Sequence, residues 1–285
     1  MPTNRELFFQ LLKKNNKCLT RLVIKSLLND ANGFNDELSL YKNFDIEVPN
    51  YDELMHKIER VENGEPFQYV LGYANFIDTY FEVNSNVLIP RQETEQLVID
   101  LKSLISSRYK GMPITIADIG TGSGAIAVTM KKYFPNCNVY ATDIEQNAID
   151  VAASNAGRLN QDVLFIRGNM LEPLIKYGIK VDVLISNPPY IDGPDTIDEQ
   201  VWKYEPHTAL LATPDTFFYE EMLKNADKIM NSGGMMAFEI GENMEDSLTE
   251  LVKKYIPGSN YYFIKDLYNK TRFLYIINQG EETNA

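Results

Sequence analysis

The sequence is poor in the residues that build metal centres and disulfide frameworks. Its 285 residues include two cysteines, Cys18 and Cys137, and two histidines, His56 and His207. These four residues stand far apart, in a spacing that fits neither a zinc site nor a disulfide scaffold. We therefore expect no metal, no histidine-based catalytic triad, and a reducing, cytoplasmic environment.

Long apolar runs and an excess of positive charge are also missing. No stretch of about 18 apolar residues occurs, so no membrane span is expected. The first residues, MPTNRELFFQLLKKNN, lack the apolar core and cleavage site of a signal peptide. The net charge is −13, whereas nucleic-acid phosphates are bound mainly by Lys and Arg. We expect a monomer that binds neither membranes nor nucleic acid directly.

The chain is long enough for two domains. Apolar residues recur at helical spacing through residues 3–63, and Asn50 followed by Glu53 resembles a capping box that opens a helix. Gly64 and Pro66 then end this helical block. Aromatic and β-branched residues around Asn75–Val83 indicate a hairpin. We predict a helical domain over 1–70, a β-hairpin linker over 71–90 and a second domain over 91–285.

Strand and helix patterns alternate from about residue 113 onward. This alternation predicts an α/β fold, an open and mostly parallel sheet with helices on both faces. The last two strands can pair antiparallel because the connection between them is short. The polar tail, Gly280–Ala285, is predicted to fray. In a sheet of this kind, ligands lie beyond the carboxyl ends of the strands. The predicted strands are 114–119, 138–142, 163–167, 181–185, 234–240, 261–266 and 271–278, and two of the predicted helices are 125–133 and 216–230.

A glycine-rich turn follows the first of these strands. The segment Gly120-Thr121-Gly122-Ser123-Gly124 leads into a helix, and its glycines let the backbone approach a ligand closely. The second strand ends in Asp143, nineteen residues after Gly124, where a carboxylate suits two ribose hydroxyls. The turn alone also satisfies a dinucleotide-binding fingerprint, so at this point either a dinucleotide or S-adenosylmethionine fits.

The ends of the next two strands separate these ligands. Asn169 and Met170 follow the third strand, where an adenine ring could be recognised. The fourth strand ends in Asn187-Pro188-Pro189-Tyr190, a stiff corner rich in acceptors and poor in backbone donors. S-adenosylmethionine has no phosphate, and a nicotinamide enzyme has no evident use for such a corner. The pattern favours S-adenosylmethionine.

These segments carry a family resemblance. DIGTGSGAIAV, ATDIEQNAIDVAASNA and DVLISNPPYI look like a class I S-adenosylmethionine-dependent methyltransferase, and the NPPY corner resembles that of enzymes that methylate planar amino or amide nitrogens. Gly64–Val98 and Tyr204–Asp215 are similar to the corresponding segments of protein-(glutamine-N5) methyltransferases of the HemK/PrmC type. The resemblance spans roughly residues 60–275.

The resemblance implies a Rossmann-like, seven-stranded fold and a specific reaction. The expected methyl donor is S-adenosyl-L-methionine, with S-adenosyl-L-homocysteine as product. The expected partner is a peptide-chain release factor, methylated on the glutamine of its GGQ tripeptide and recognised by the N-terminal domain. The expected cofactor-binding residues are Gly120, Thr121, Gly122, Ser123, Gly124, Asp143, Ile144, Asn169, Met170 and Asn187. The expected substrate-binding residues are Asn187, Pro188, Pro189 and Tyr190, of which Asn187, Pro188 and Tyr190 are catalytic.

The chemistry of amide methylation explains the corner. An amide nitrogen is a poor nucleophile because its lone pair is delocalised into the carbonyl. Two acceptors, the side-chain oxygen of Asn187 and the carbonyl of Pro188, could hold its two N–H bonds so that the lone pair faces the methyl group. The proline rings preset these carbonyls, and Tyr190 could pack on the flat amide and exclude water.

Departures from the family pattern and competing functions remain open. Gln92 replaces a proline, Asn169 replaces an aspartate, and the turn Asp266–Arg272 lacks the usual glycine. A ribosomal-protein glutamine methyltransferase, an adenine-N6 methyltransferase and a non-catalytic binding module are the alternatives. Of the remaining residues, Glu93, Thr94 and Glu95 are expected to start a helix and support the cofactor, Trp202 and Tyr204 to cover a substrate channel, and Glu239 to brace a strand end.

Overall fold

The computed structural model of this chain describes residues 1–278, so the predicted fraying of the tail concerns residues outside the described part. The described chain forms two compact units. The N-terminal unit comprises Met1–Tyr73 together with Glu199–Tyr204. The second unit comprises Ala74–Asp198 and resumes at Glu205. One short segment from the later part of the sequence thus belongs to the N-terminal unit, which local sequence patterns did not predict.

The described helices and strands are as follows. The helices are α1 (Asn4–Lys13), α2 (Arg21–Asn32), α3 (Glu37–Lys42), α4 (Tyr51–Glu62), α5 (Phe67–Leu71), α6 (Gln92–Tyr109), α7 (Ala125–Tyr133), α8 (Gln146–Arg158), α9 (Glu172–Lys176), α10 (Glu199–Tyr204), α11 (Phe217–Lys224), α12 (Ala226–Ile229) and α13 (Glu245–Tyr255). The strands are β1 (Tyr73–Phe76), β2 (Thr79–Glu82), β3 (Thr115–Ile119), β4 (Asn138–Asp143), β5 (Leu164–Arg167), β6 (Val181–Ser186), β7 (Met230–Glu239), β8 (Asn260–Lys265) and β9 (Thr271–Ile277). Two 3₁₀ turns cover Pro194–Thr196 and His207–Ala209.

The N-terminal unit is held by apolar faces of its helices. Its core includes Leu7, Ile24 and Ile58, none of which is exposed. The predicted capping box at Asn50 is wrong, because that residue has φ 49° and its side chain caps nothing. A complete capping box occurs instead at the start of α1, where Thr3 pairs with Glu6.

Polar contacts join helix α10 to this unit. The Gln200 side-chain amide donates to Cys18 Sγ at 3.1 Å, and the Tyr204 hydroxyl donates to the carbonyl of Asn63 at 3.4 Å. The structure therefore places Tyr204 within the N-terminal unit, and its predicted role as a channel cover stays a prediction.

The second unit is built on a seven-stranded sheet in the order β5-β4-β3-β6-β7-β9-β8. The first five strands in this order pair in parallel, while β9 runs antiparallel to both β7 and β8. Side chains of successive residues alternate between two buried clusters. On β6, Val183 and Ile185 pack against α6 and α7, and Leu184 packs against α11 and α13. The predicted mostly parallel sheet with helices on both faces is confirmed.

The predicted hairpin is present as β1 and β2, and from Ala74 onward it belongs to the second unit. Its rings of Phe76 and Phe81 meet edge to face at 6.0 Å within the core. The buried Asn155 of α8 mimics a neighbouring strand, because its side-chain amide accepts from Glu82 N at 2.7 Å and donates to Glu82 O at 3.0 Å. The hairpin is therefore anchored to the sheet domain.

Two local expectations change in the structure. The predicted helix 216–230 is divided at Asn225 into α11 and α12. The turn before β9 works without the glycine of the family pattern, because Asn269 takes the left-handed conformation at φ 64°. The buried Asp266 carboxylate fixes this turn by accepting from the backbone N–H groups of Tyr268 and Lys270 at 2.8 and 3.0 Å.

Candidate active site

The carboxyl ends of β3, β4, β5 and β6 meet at one edge of the sheet, because these strands are parallel neighbours. A cavity of about 330 Å³ opens there, wholly within the second unit. The predicted site residues that line it are Gly120, Gly122, Asp143, Ile144, Asn169, Met170, Asn187, Pro188 and Pro189. Four predicted site residues, Thr121, Ser123, Gly124 and Tyr190, are not part of this lining.

The three glycines of the loop after β3 have different structural roles. Gly120 and Gly122 have φ of 74° and 54°, and a methyl group built on either would meet nothing within 4 Å. Their backbone is therefore open to a ligand in the cavity. Gly124 instead lies against α8, where a methyl group would come within 3.0 Å of Ala152 Cβ. Its lack of a side chain allows α7 and α8 to pack closely.

A buried carboxylate lies behind the same loop. Asp118 Oδ2 accepts from the Thr121 hydroxyl at 2.6 Å and from Ala127 N at 3.1 Å. Burial raises the pKa of Asp118 to about 7. Its Oδ1 is buried and has no hydrogen-bond partner. Sequence patterns gave Asp118 no role, and the structure shows that it ties the loop to the start of α7.

The carboxylate of Asp143, at the end of β4, is held in place by two backbone N–H groups. Its Oδ2 accepts from Gly122 N at 2.9 Å, and its Oδ1 accepts from Glu145 N at 3.0 Å. Burial raises the pKa of this carboxyl as well. Because a carboxylate has about four lone-pair sites, each oxygen retains capacity for a ligand hydroxyl.

The adjoining wall of the cavity combines an apolar surface with an amide. Ile144 is 53% exposed, which is unusual for a large apolar side chain next to a core strand. Asn169 and Met170 follow β5, and the Thr142 hydroxyl fixes the Met170 carbonyl by a hydrogen bond of 3.0 Å. Such a wall suits a flat ring with a polar edge.

Asn187 follows β6 and is linked to two buried polar residues. Its Nδ2 donates to the Thr94 hydroxyl at 3.1 Å. That hydroxyl donates in turn to Glu239 Oε2 at 2.6 Å. Thr94 is 5% and Glu239 2% exposed, and burial raises the pKa of Glu239 to about 7. The sequence predicts supporting roles for Thr94 and Glu239 but does not connect them to Asn187, because the three residues lie on distant elements.

Tyr190 takes a different position from its two preceding prolines. Pro188 and Pro189 line the cavity, whereas Tyr190 packs into the core on the α11 and α13 side of the sheet. A methyl group built on Gly241 would lie 3.1 Å from its ring. Burial raises the pKa of the Tyr190 hydroxyl. In this structure the ring anchors the corner to the sheet.

An ion pair with a buried carboxylate joins the two segments that flank the site. Arg91 Nη2 lies 2.6 Å from Glu205 Oε1, and Glu205 Oε2 accepts from Ile89 N at 3.2 Å. Glu205 is only 5% exposed. This carboxylate therefore holds the chain before α6 against the loop that follows the NPPY corner, a pairing that sequence patterns did not reveal.

Within residues 1–278, no three His, Cys, Asp or Glu side chains are grouped so that they could hold a metal ion. No helix in that range is both long and apolar enough to cross a membrane.

Comparisons with known proteins agree with this architecture. Residues 99–205 match the family described as "Methyltransferase small domain". A methyltransferase structure from Pyrococcus furiosus superposes with a TM-score of 0.51 at 22% identity, covering 70% of this chain and 88% of its own. That likeness shows the fold.

Closer relatives carry a more specific name. The release factor glutamine methyltransferase of Staphylococcus aureus is 39% identical over 220 residues, 76% of this chain and 77% of the relative. The protein of the same name from Bacillus subtilis is 37% identical over 222 residues, 75% of this chain and 76% of the relative. On this similarity, the chain belongs to the release factor glutamine methyltransferase family.

Proposed function

We propose that this protein transfers the methyl group of S-adenosyl-L-methionine to N5 of a glutamine side chain, that of the GGQ tripeptide of peptide-chain release factors. The product of the donor is S-adenosyl-L-homocysteine. The observation that carries the proposal is the Asn187-Pro188 corner beside the cavity, in a chain of this family. We place this enzyme in the cytoplasm as a monomer.

The cavity lining supports S-adenosyl-L-methionine as the donor. The open backbone at Gly120 and Gly122 would take its amino-acid end, and the Asp143 carboxylate would accept from its ribose hydroxyls. Ile144 and Met170 would contact the adenine ring, and Asn169 would hydrogen-bond its edge. When bound, this donor supplies an electrophilic methyl group on a positively charged sulfur.

The remaining predicted cofactor residues support the loop rather than the cavity. Thr121 donates to Asp118, and the buried Ser123 offers its carbonyl to the Asn155 side chain at 3.0 Å. Gly124 allows α7 to pack on α8. We propose that these three residues hold the backbone of Gly120 and Gly122 in its binding shape.

The corner would position the amide that is methylated. Asn187 Oδ1 and the carbonyl of Pro188 would each accept one N–H of the glutamine side chain, which turns its nitrogen lone pair toward the methyl group. Fixing a nucleophile in a near-attack geometry can provide about 7–11 kcal/mol of the barrier at best. Pro189 limits the motion of this corner, and Tyr190 anchors it in the core. No strong base is required beforehand, since the nitrogen becomes acidic as the N–CH₃ bond forms and the S–CH₃ bond breaks, and it then releases one proton to water.

We further propose that the N-terminal unit recognises the release factor. We place its functional boundaries as predicted, with residues 1–70 for recognition, the hairpin of 71–90 as linker and the methyltransferase domain from residue 91. A polar concavity of about 310 Å³ lies within this unit, lined by both positive and negative side chains, among them Lys17, Glu62 and Lys203. A mixed surface of this kind suits a polar protein partner better than a phosphate backbone.

A labelling experiment tests the proposal. The protein is incubated with S-adenosyl-L-methionine carrying a labelled methyl group and, in separate reactions, purified release factor, ribosomal proteins or duplex DNA. We expect label on the release factor alone, and none when its GGQ glutamine is replaced by alanine. Label on a ribosomal protein or on DNA instead would contradict the proposed substrate.

A further inference from the structure

While Glu239 is ionised, the hydrogen bonds that link it through Thr94 to Asn187 can run in only one direction. An ionised Glu239 carboxylate only accepts, so the Thr94 hydroxyl must donate its single proton to it. Thr94 is then left with lone pairs and can only accept from Asn187, which is what the 3.1 Å contact from Nδ2 shows. The amide of Asn187 therefore has its NH₂ toward Thr94 and its oxygen available to another partner.

Sheet register places these groups together. Ser186 pairs with Phe238 on the neighbouring parallel strand, so Asn187 and Glu239 follow side by side at the ends of β6 and β7. Thr94, in the first turn of α6, lies between their side chains and contacts both. Because Thr94 and Glu239 are buried, water does not compete for these bonds.

We propose that Thr94 and Glu239 are positioning residues that set which end of the Asn187 amide is presented to the substrate. A 180° rotation of the Asn187 amide would leave the shape of the side chain almost unchanged. It would, however, place an NH₂ donor where the NH₂ group of the substrate glutamine needs an acceptor. Glu239 selects the productive orientation through Thr94. The identity of the group that binds the Asn187 oxygen rests on the proposed function. The orientation of the Asn187 amide does not depend on that function.

Protonation of Glu239 allows these hydrogen bonds to run in the other direction. A carboxylic acid can donate to Thr94, which leaves the Thr94 hydroxyl able to donate to Asn187 once that amide turns its oxygen inward. Glu239 is faced by Glu93, which favours the proton, by Arg91 and Arg272, which oppose it, and by the nearby hydroxyls of Tyr190 and Tyr219. Burial is the largest influence and raises its pKa to about 7. Asn187 is thus expected to turn as the pH crosses about 7.

A set of threonine variants tests the positioning role by kinetics. Thr94→Val keeps the shape and removes the hydroxyl, so single-turnover methyl transfer to the release factor should fall about 100-fold, with cofactor affinity unchanged. Thr94→Ser should restore the rate. The matched control is Thr129→Val, the same change at a buried threonine of α7, which should keep the wild-type rate. An undiminished rate in Thr94→Val, or no rescue by serine, would overturn the proposal.

A second readout needs no substrate. The side-chain amide resonance of Asn187, identified by its loss in Asn187→Ala, is followed by NMR across the pH range. We expect one step with a midpoint near pH 7 in the wild type, and no step in Glu239→Gln or Thr94→Val. A resonance that does not move in the wild type overturns the inference. If the wild type failed to methylate any release factor, the proposed function would fall while this measurement still decided the orientation.

Discussion

At the scale of residues, the polar side chains of the site are held by the protein before any ligand arrives. Asp143 accepts from two backbone N–H groups, and Asn187 donates to Thr94. Each retains acceptor capacity toward the cavity. Side chains fixed in this way lose little entropy when they bind, which favours both affinity and geometry.

Replacing Asp143 tests its contact with the donor. Asp143→Ala removes a hydrogen-bonding carboxylate, so binding of S-adenosyl-L-homocysteine should weaken by about 1.5–3 kcal/mol. Asp143→Asn is the matched control, since its amide oxygen can still accept from Gly122 N and keep the loop in place, and it should lose less. Isothermal titration calorimetry measures both. Unchanged affinity in Asp143→Ala would remove this residue from the site.

Replacing Asn187 separates orientation from charge. Asn187→Ala removes the proposed acceptor for the substrate amide, so methyl transfer should collapse. Asn187→Asp keeps an acceptor but loses the donor to Thr94, and its charge would stabilise the positively charged donor in the ground state. It should retain partial activity with a lowered kcat, and its cofactor affinity should be near normal or tighter. A wild-type rate in Asn187→Ala would show that the corner is a stiff turn with no role in holding the substrate amide.

The sequence predicted the site residues that belong to short local motifs and missed those that depend on distant pairing. Gly120, Gly122 and Asn187 stand at recognisable strand ends and line the cavity. Thr94 and Glu239 are 145 residues apart, and nothing in a single sequence indicates that they share a hydrogen bond. Arg91 and Glu205 are likewise 114 residues apart.

At the scale of elements, the predictions hold where the apolar pattern is long and fail where a polar side chain interrupts it. Helix α7 begins and ends at the predicted residues. The predicted helix 216–230 instead breaks at Asn225, whose side chain donates to the Glu221 carbonyl at 2.9 Å and so competes with helical bonding. Helix α10 was missed because six residues without a buried apolar stripe give no periodic signal.

Alanine substitutions in the loop between β3 and α7 test the separate roles of Gly122 and Gly124. Gly124→Ala adds left-handed strain and a contact with Ala152, so it should lower the free energy of unfolding by about 1–3 kcal/mol. Gly122→Ala has comparable strain but open space around its methyl group, which would project toward the cavity. It should weaken cofactor binding more than Gly124→Ala does.

Denaturant unfolding and calorimetry on the two variants measure these effects. Gly124→Ala should mainly lower the free energy of unfolding. Gly122→Ala should mainly weaken cofactor binding. An equal loss of affinity in both would show that Gly124 also faces the ligand.

At the scale of the whole molecule, the chain places acidic groups in its interior as well as on its surface. The net charge is −13, and Asp118 and Glu239 are fully buried with pKa values raised to about 7. The two-unit organisation is only partly visible in the sequence. The spacing of apolar residues indicates a helical N-terminal region, but the membership of Glu199–Tyr204 in that unit depends on contacts with residues far away in the chain.

The buried acids predict how stability depends on pH. Because folding raises both pKa values, their contribution to stability is complete below the unfolded values, near 4, and is lost as the pH rises through about 7. The melting temperature should therefore fall between about pH 4 and pH 7. Asp118→Asn should make this fall smaller, since an amide does not ionise.

A surface carboxyl provides the control for this measurement. Glu242 is paired with Lys270, which holds its pKa below the usual value, so its contribution is lost only on acidification. Glu242→Gln should leave the fall between about pH 4 and pH 7 unchanged. An identical pH profile in Asp118→Asn and the wild type would contradict the account of the buried acid.

We propose that this enzyme methylates one side-chain amide, held at the Asn187-Pro188 corner. The most direct measurement is mass spectrometry of a release factor digested after incubation with S-adenosyl-L-methionine and either the wild type or Asn187→Ala. We predict that the peptide containing GGQ gains the mass of one CH₂ group, localised to the glutamine by fragmentation, with the wild type only. An unmodified peptide after wild-type treatment, or equal modification by Asn187→Ala, would contradict the account.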